Sequence, residues 1–359
     1  MASSSHLGNS LDENFQAAIS VQELIKKPIL SVPQNYVQSD QQSFDSASFP
    51  ISLPIIDLKL LLSTDSELEK LHSTCKEWGI FQLVNHEISS LLMENLKNDI
   101  EEFYKLPLEE KMKYTIRPDG DVEGYGTASR LRGKLDWGDR FYLITNPIHR
   151  RKPHLLPELP SSLRNNLESY ILELQKLSRK LFGYLAEALK IDEKEMEDMF
   201  DDGMQSIRMT YYPPCPQPEL VVGITPHSDA TGLTILNQVN GVDGLHIKKD
   251  GKWSPVTFFP NSLVVNVGDI LEILSNGRYN SIEHKVVVNS EKERISIAFF
   301  VNPKVEAEVG PVMSLINPDN PPIFKRVGME QYFKEFFSRK LNGKSFLEHM
   351  KINLAHPAN

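Results

Sequence analysis

Only two cysteines, Cys75 and Cys215, occur in 359 residues, so no disulfide framework holds this chain together. Cys75 falls among apolar positions at helical spacing and Cys215 in a proline-rich turn. Both are expected as reduced thiols, as in a cytoplasmic protein. Basic excess is missing too. A formal net charge of −9 argues against nucleic acid or an anionic membrane as partner, because both reward basic patches, and leaves a small molecule. No run approaches the roughly 18 apolar residues of a membrane span. The polar start "MASSSHLGNSLDENF" has neither the basic nor the apolar part of a secretory signal. Gly120, Gly124 and Gly126 make no phosphate cradle, since no strand-to-helix passage with a following Lys-Ser or Lys-Thr accompanies them. What remains, 40% hydrophobic and 24% charged, suffices for one large core or two intimate domains, expected as a monomer.

Residues 1–50 read as an arm, with a loose tail at Ser3 to Asn14 and a second polar connector, "QQSFDSASF". Between them "SVQELIKKPIL" predicts a short helix stopped by Pro28. An N-terminal region, 51–160, opens on a short buried strand at Pro54 to Leu58. Leu68, Leu71, Cys75 and Trp78 then recur at helical spacing, and Gly79 suits that helix's end. "IFQLVNH" reads as a strand, and Leu92, Leu96, Ile100 and Phe103 mark a second helix capped by Ser89 or Ser90. In 161–200, Leu163, Leu167, Tyr170, Ile171, Leu174, Leu177, Leu181 and Leu185 form one stripe of a bracing helix.

From 201 to 305, short β-branched segments alternate with Gly, Asn and Asp turns: "SIRMTYY", "GLTILNQV", "GLHIKKDG", "KWSPVTF", "SLVVNVG", "EHKVVVN" and "RISIAFF". They predict an antiparallel double-sheet barrel. The fold class is therefore mixed α/β: a double-stranded β-helix, or jelly roll, braced by helices, with a helical N-terminal region. The last segment, 306–359, is helical. Its Phe333, Phe336 and Phe337 either close over a pocket or pack as ordinary core.

Chemistry concentrates in His227-Ser228-Asp229. Side chains two apart on a strand share a face, and His284 follows 57 residues later. Two imidazoles and one carboxylate with open positions are the facial ligand set of non-haem Fe(II) oxygenases, whereas a structural zinc would close its tetrahedron with cysteines. On "RISIAFF", Arg294, Ser296, Ala298 and Phe300 share one face. A guanidinium there needs an anion. That anion is either a nearby Asp or Glu, or the carboxylate of a bound acid held by a forked pair of hydrogen bonds with Ser296 adding another. Asn266 and Asp269 in "NVGD" are candidate acceptors for the remaining ring nitrogens of the histidines. His86 is read as a loop histidine bonded to backbone and His246 as structural. Asp136 and Asp139 are read as solvated or capping, and Asp201 and Asp202 as solvent-facing.

The segments "YYPPCPQPEL", "TPHSDATGLTIL", "VVNVGDILEILSNGRYNSIEHKVVVN" and "ERISIAFF" resemble the 2-oxoglutarate- and Fe(II)-dependent dioxygenases of plants. Within them the likeness is to the senescence-related branch that includes alkaloid O-demethylases, and at greater distance to anthocyanidin and flavonol synthases. It runs from about Pro54 to about Glu348. The resemblance implies Fe(II) on His227, Asp229 and His284, and O2 and 2-oxoglutarate as co-substrates, with ascorbate as reductant. Arg294, Ser296 and Tyr212 would grip the far carboxylate of 2-oxoglutarate. The implied reaction oxidises a C–H bond of a small plant specialised metabolite, by hydroxylation or O-demethylation, releasing succinate and CO2. Ring-forming or desaturating oxidation stays open on the same chemistry.

Phe300 matches an aromatic that stacks on substrate. "EGYG" and "DWGDRFYL" match a segment lining the substrate side, so Tyr125 and Phe141 are either wall residues or buried aromatics of a hairpin. Two positions depart from the family: Thr210 stands where Asn is frequent, and Glu87 where Gly usually follows the histidine. Arg208, on the alternating face of Thr210 and Tyr212, either compensates or points toward substrate. Two rivals remain. A zinc or manganese hydrolase with these ligands has no need of Arg294, and a ligand-binding protein on a degenerate dioxygenase fold has no need of both ligand set and clamp.

Overall fold

In the computed structural model the described residues are 20–38, 49–116, 122–127, 134–339 and 342–352. The Ser3 to Asn14 tail, nearly all of "QQSFDSASF" and Gly120 lie outside them. Counted along the chain, strands β1 to β5 are Ile51–Ser52, Ile55–Asp57, Ile80–Val84, Gly124–Thr127 and Asp139–Asn146. Strands β6 to β9 are Gln205–Tyr212, Ile224–His227, Leu233–Gln238 and Leu245–Lys249. Strands β10 to β13 are Lys252–Thr257, Leu263–Val267, His284–Val286 and Arg294–Val301. They form a larger sheet in the order β2-β3-β11-β8-β13-β6-β5-β4 and a smaller one in the order β1-β10-β9-β12-β7. This is the jelly roll. Four strands of the 51–160 region flank the larger sheet, so that sheet runs straight through the boundary expected at residue 160.

Period two sorts the larger sheet into two chemistries. Ile295, Ile297, Phe299 and Val301 of β13, with Ile207, Met209 and Tyr211 of β6, join the main hydrophobic cluster. The helix Leu163–Leu189 covers that side, and all eight stripe residues expected from the sequence are buried. Truncating one of its buried leucines to alanine should cost about 2–5 kcal/mol. The intervening residues, Arg294, Ser296, Ala298 and Phe300, face the other way, and β6 sets Tyr212, Thr210, Arg208 and Ser206 directly opposite them. Tyr212 packs there on Ile224 and Val286 of the smaller sheet.

Tyr125 and Phe141 fall on the helix side of this division. Phe141 stands opposite both Met209 and Tyr125 in the register. It stacks on Phe103 with centroids 5.4 Å apart. The two aromatics belong to the helix-facing core, not to a substrate wall. Their neighbours Arg140 and Tyr142, opposite Thr210 and Arg208, take the inner face.

Local sequence explains the helix ends. Ser89 accepts a hydrogen bond from the Leu92 backbone N–H at 3.4 Å, capping the helix Ser90–Lys105. Gly79, after the helix Asp65–Glu77, has φ +66°, and a Cβ there would sit 1.8 Å from the Asn280 carbonyl oxygen. The arm helix Val21–Leu24 docks through Asp139, whose carboxylate accepts from Ser20 Oγ and Val21 N–H, each at 2.6 Å, and from Tyr125 Oη at 3.0 Å. Asp139 is thus a buried cap for a distant helix and not a solvated charge, and burial raises its pKa. At the other end of the chain, Phe333 and Phe336 pack on the main core, while Phe337 is half exposed, so ordinary packing accounts for the C-terminal aromatics.

Candidate active site

Strand pairing brings the ligand set together. His227 ends β7, His284 begins β12, and the two are direct partners in an antiparallel ladder, with ring centroids 4.3 Å apart. The Nδ1 of each ring meets the carbonyl two residues back, Thr225 at 2.7 Å and Ile282 at 3.2 Å. Protons donated from Nδ1 to these carbonyls leave the Nε2 lone pairs turned toward Asp229, whose Oδ1 lies 3.4 Å from His227 Nε2 and 3.9 Å from His284 Nε2. The three ligand atoms all fall within 4.8 Å of one another, and among the described residues no other group of His, Cys, Asp and Glu could hold a metal.

The second carboxylate oxygen of Asp229 accepts from Thr234 Oγ1 at 2.7 Å and Asn266 Nδ2 at 2.9 Å. Burial works against the Asp229 charge, but His284, His227 and Asn266 overcome it and hold its pKa well below the usual carboxylate range. Burial, then the neighbouring His227, pushes His284 down to about 4, so its imidazole is neutral at pH 7 and able to bind metal.

Asn266 and Asp269 brace this centre differently from the sequence expectation. The histidine N–H partners are backbone carbonyls. Asn266 donates to the carboxylate instead, and Asp269 accepts from Ser228 Oγ at 3.0 Å and Ser281 Oγ at 2.6 Å. Two further residues brace the centre in roles the sequence expectations do not give them. Thr234 is a polar residue within the apolar "GLTIL" run, a signal available in the sequence. Asp136 accepts from Thr225 N–H at 3.1 Å and Oγ1 at 2.8 Å, fixing the residue whose carbonyl orients His227. Away from the centre, His86 meets only backbone, the Ile88 N–H and the Asn261 carbonyl, each at 3.2 Å. Glu87 keeps a left-handed backbone at φ +66° despite its side chain. His246 lies near the Gly244 carbonyl, and Asp201 and Asp202 stand exposed.

Arg294 lies on the inner face, only 2% exposed. Its Nε, Nη1 and Nη2 have no hydrogen-bond partner, and the guanidinium sits over the Tyr212 ring, 5.2 Å from its centroid. Among the described residues no Asp or Glu forms an ion pair with it. Of the two partners open at the sequence level, the internal carboxylate is not there. Burial lowers the pKa of this arginine, Tyr212 opposing. The space around it is kept by glycine: a Cβ on Gly244 would approach Arg294 Cδ to 2.8 Å, and one on Gly223 would approach the Tyr212 ring to 2.8 Å. Ser296 is buried on the same face, opposite Thr210. An unpaired cation in such a place costs several kcal/mol until an anion arrives. The donor set suits Fe(II), and the orphaned guanidinium suits a bound diacid.

Residues 53–160 match the non-haem dioxygenase in morphine synthesis N-terminal family, and residues 203–303 match the 2OG-Fe(II) oxygenase superfamily. Protein SRG1 of Arabidopsis thaliana is 51% identical over 93% of this chain and 96% of its own. The chain belongs to the 2OG-Fe(II) oxygenase superfamily. This oxygenase is also 48% identical to codeine O-demethylase of Papaver somniferum, over 96% of this chain and 98% of that one. To oxoglutarate-dependent flavonoid 7-O-demethylase 1 of Ocimum basilicum it is 46% identical, over 98% and 94%. Among solved structures, JOX2 in complex with 2OG, Fe and JA superposes with a TM-score of 0.86 at 35% identity, covering 93% of this oxygenase and 98% of that chain. The enzyme is an Fe(II)- and 2-oxoglutarate-dependent dioxygenase that uses O2, ascorbate being the customary reductant. No helix among its described residues is long and apolar enough to cross a membrane.

Proposed function

We propose that His227, Asp229 and His284 hold Fe(II), and that Arg294, Ser296 and Tyr212 bind the far carboxylate of 2-oxoglutarate, while the substrate is a small plant specialised metabolite. The observation that carries this reading is the buried, unpaired Arg294 on the inner face of the larger sheet, with the His–Asp–His cluster on β7 and β12 of the smaller sheet that packs against that face through Tyr212. When bound, the iron with 2-oxoglutarate and O2 supplies oxidation of a substrate C–H bond with release of succinate and CO2. The chain's own part is positional. Thr225 and Ile282 carbonyls fix the imidazoles, and Thr234 and Asn266 hold one oxygen of Asp229. Each charge-assisted bond from Arg294 to the diacid contributes about 1.5–3 kcal/mol.

O-demethylation is the favoured outcome, with hydroxylation next, because codeine O-demethylase and the flavonoid 7-O-demethylase are both similar over nearly the whole chain. The net charge of −9 supports a small-molecule substrate over nucleic acid or membrane, and the enzyme is proposed to act as a cytoplasmic monomer. The test is anaerobic loading with Fe(II) and 2-oxoglutarate, then O2 with a panel of methoxylated alkaloids, coumarins and flavonoids. Succinate with stoichiometric formaldehyde is the expected result. Succinate with a product heavier by one oxygen would replace demethylation by hydroxylation, and turnover without O2 would refute the reading.

A further inference from the structure

Arg208 has no task in the metal set or in the diacid clamp. It stands on the inner face of β6, opposite Ala298 of β13 and Tyr142 of β5. Its guanidinium carbon lies 5.1 Å from the centroid of the Phe300 ring. The Nε is buried without a partner, and among the described residues no carboxylate forms an ion pair with it.

Charge balance says what this cation lacks. The two positive charges of Fe(II) and the one on Arg294 are matched by Asp229 and the two carboxylates of 2-oxoglutarate. Arg208 is then left over. Arg294 and the register partner of Arg208, Ala298, are four residues apart on one strand, so the two arginines leave separate positions of the inner wall. Packing against Phe300 leaves the N–H edges of the planar guanidinium as five donors and no acceptor, a fork suited to an oxyanion. Phe300 itself offers a flat apolar surface in the same place, only 9% exposed.

We propose that Arg208, stacked on Phe300, is a specificity-determining residue that selects an aromatic substrate bearing an anionic oxygen, a carboxylate or an ionised phenol, over neutral or cationic analogues. This rests on the function proposed above and names its substrate class. A carboxylate or phenolate cancels the leftover charge, whereas an ammonium adds to it.

The test measures binding to the anaerobic enzyme loaded with Fe(II) and 2-oxoglutarate. The probes are p-methoxycinnamate, its methyl ester and p-methoxycinnamylamine, matched in ring and methoxy group. A second pair, a methoxyflavone with an acidic free hydroxyl and its fully methylated analogue, separates phenolate from carboxylate. The wild type is expected to bind an anionic probe at least about tenfold more tightly than its neutral match, with the amine weakest. Arg208→Gln should abolish that ratio and Arg208→Lys should retain part of it, while 2-oxoglutarate affinity stays within about twofold in both. An unchanged ratio in Arg208→Gln, a wild type that shows no anion preference, or parallel loss of 2-oxoglutarate binding overturns the assignment. Absence of succinate with every probe after O2 is admitted would instead strike the proposed C–H oxidation, and affinity ratios read beforehand keep the two failures apart.

Discussion

Replacing Arg294 by methionine should move two properties in opposite directions. The guanidinium is buried with three unpartnered nitrogens, so the protein without co-substrate carries an uncompensated charge. A neutral side chain of similar length removes that cost, and exchange of buried charges for apolar groups has gained about 1–4 kcal/mol elsewhere. At roughly 2 °C per kcal/mol for a chain of this size, the co-substrate-free variant should melt about 2–8 °C above wild type. Loss of a forked pair of charge-assisted bonds, about 1.5–3 kcal/mol each, should weaken 2-oxoglutarate by about 3–6 kcal/mol, or roughly a hundredfold to ten-thousandfold. Thermal unfolding of the anaerobic Fe(II) form with and without 2-oxoglutarate reads both effects. Wild type should gain about 2.7 kcal/mol at a hundredfold excess over its Kd, and the variant at that concentration almost nothing. A variant that melts below wild type and still binds the diacid within about tenfold would make Arg294 a structural cation and refute the clamp.

Gly244→Ala should raise the KM for 2-oxoglutarate by about tenfold or more while Fe(II) affinity holds, because the added methyl meets Arg294 Cδ and the Val287 carbonyl oxygen, each at 2.8 Å, and the arginine side chain is the part free to shift. Equal loss of both affinities would point to general misfolding. Removing Thr234 Oγ1 and Asn266 Nδ2 together, by Thr234→Val and Asn266→Leu, frees Asp229 to turn, and Fe(II) affinity measured by competitive chelation should fall about 10–100-fold. In the metal-free protein His284 should stay neutral at pH 6 and take a proton only near pH 4, visible in its imidazole NMR signal. Since its unfolded value is 6.5, the unfolded chain binds more protons at acidic pH. A His284→Gln variant shares the opposing contribution of Asp269, whose carboxyl burial pushes up to about 7, so wild type should lose about 3 kcal/mol more metal-free stability than that variant as pH drops from 6.5 to 4 in urea titrations; identical profiles would refute the burial argument.

The clustering of His227, Asp229 and His284 and the inner-face position of Arg294 were legible because extended chain has a strict period of two. The long helix was legible for the equivalent reason, its stripe repeating at one helical period through eight apolar residues. The face taken by Tyr125 and Phe141 was not. "DRFYLITN" carries aromatic and aliphatic residues on both sides, because the helix layer covers one side and the inner wall lies on the other. Alternation then gives no contrast to read. For Asp139 the sequence left solvated and capping open, because its partners Ser20 and Val21 lie 119 and 118 residues away and nothing local distinguishes a buried cap from a solvated carboxylate. Long-range pairing likewise hid Asp136, which holds Thr225 across 89 residues.

Among the described residues, strand β7 ends its sheet beside β12, yet its free side does not stay bare. Gly343 bridges to His227, donates to the Pro226 carbonyl at 3.1 Å and accepts from Ser228 N–H at 3.3 Å. Lys344 beside it is held by Glu272 at 2.7 Å. A nascent chain still short of Gly343 therefore exposes a naked β-rim at His227, the kind of rim onto which foreign strands add. Synthesis has to pass Gly343 before that rim is covered.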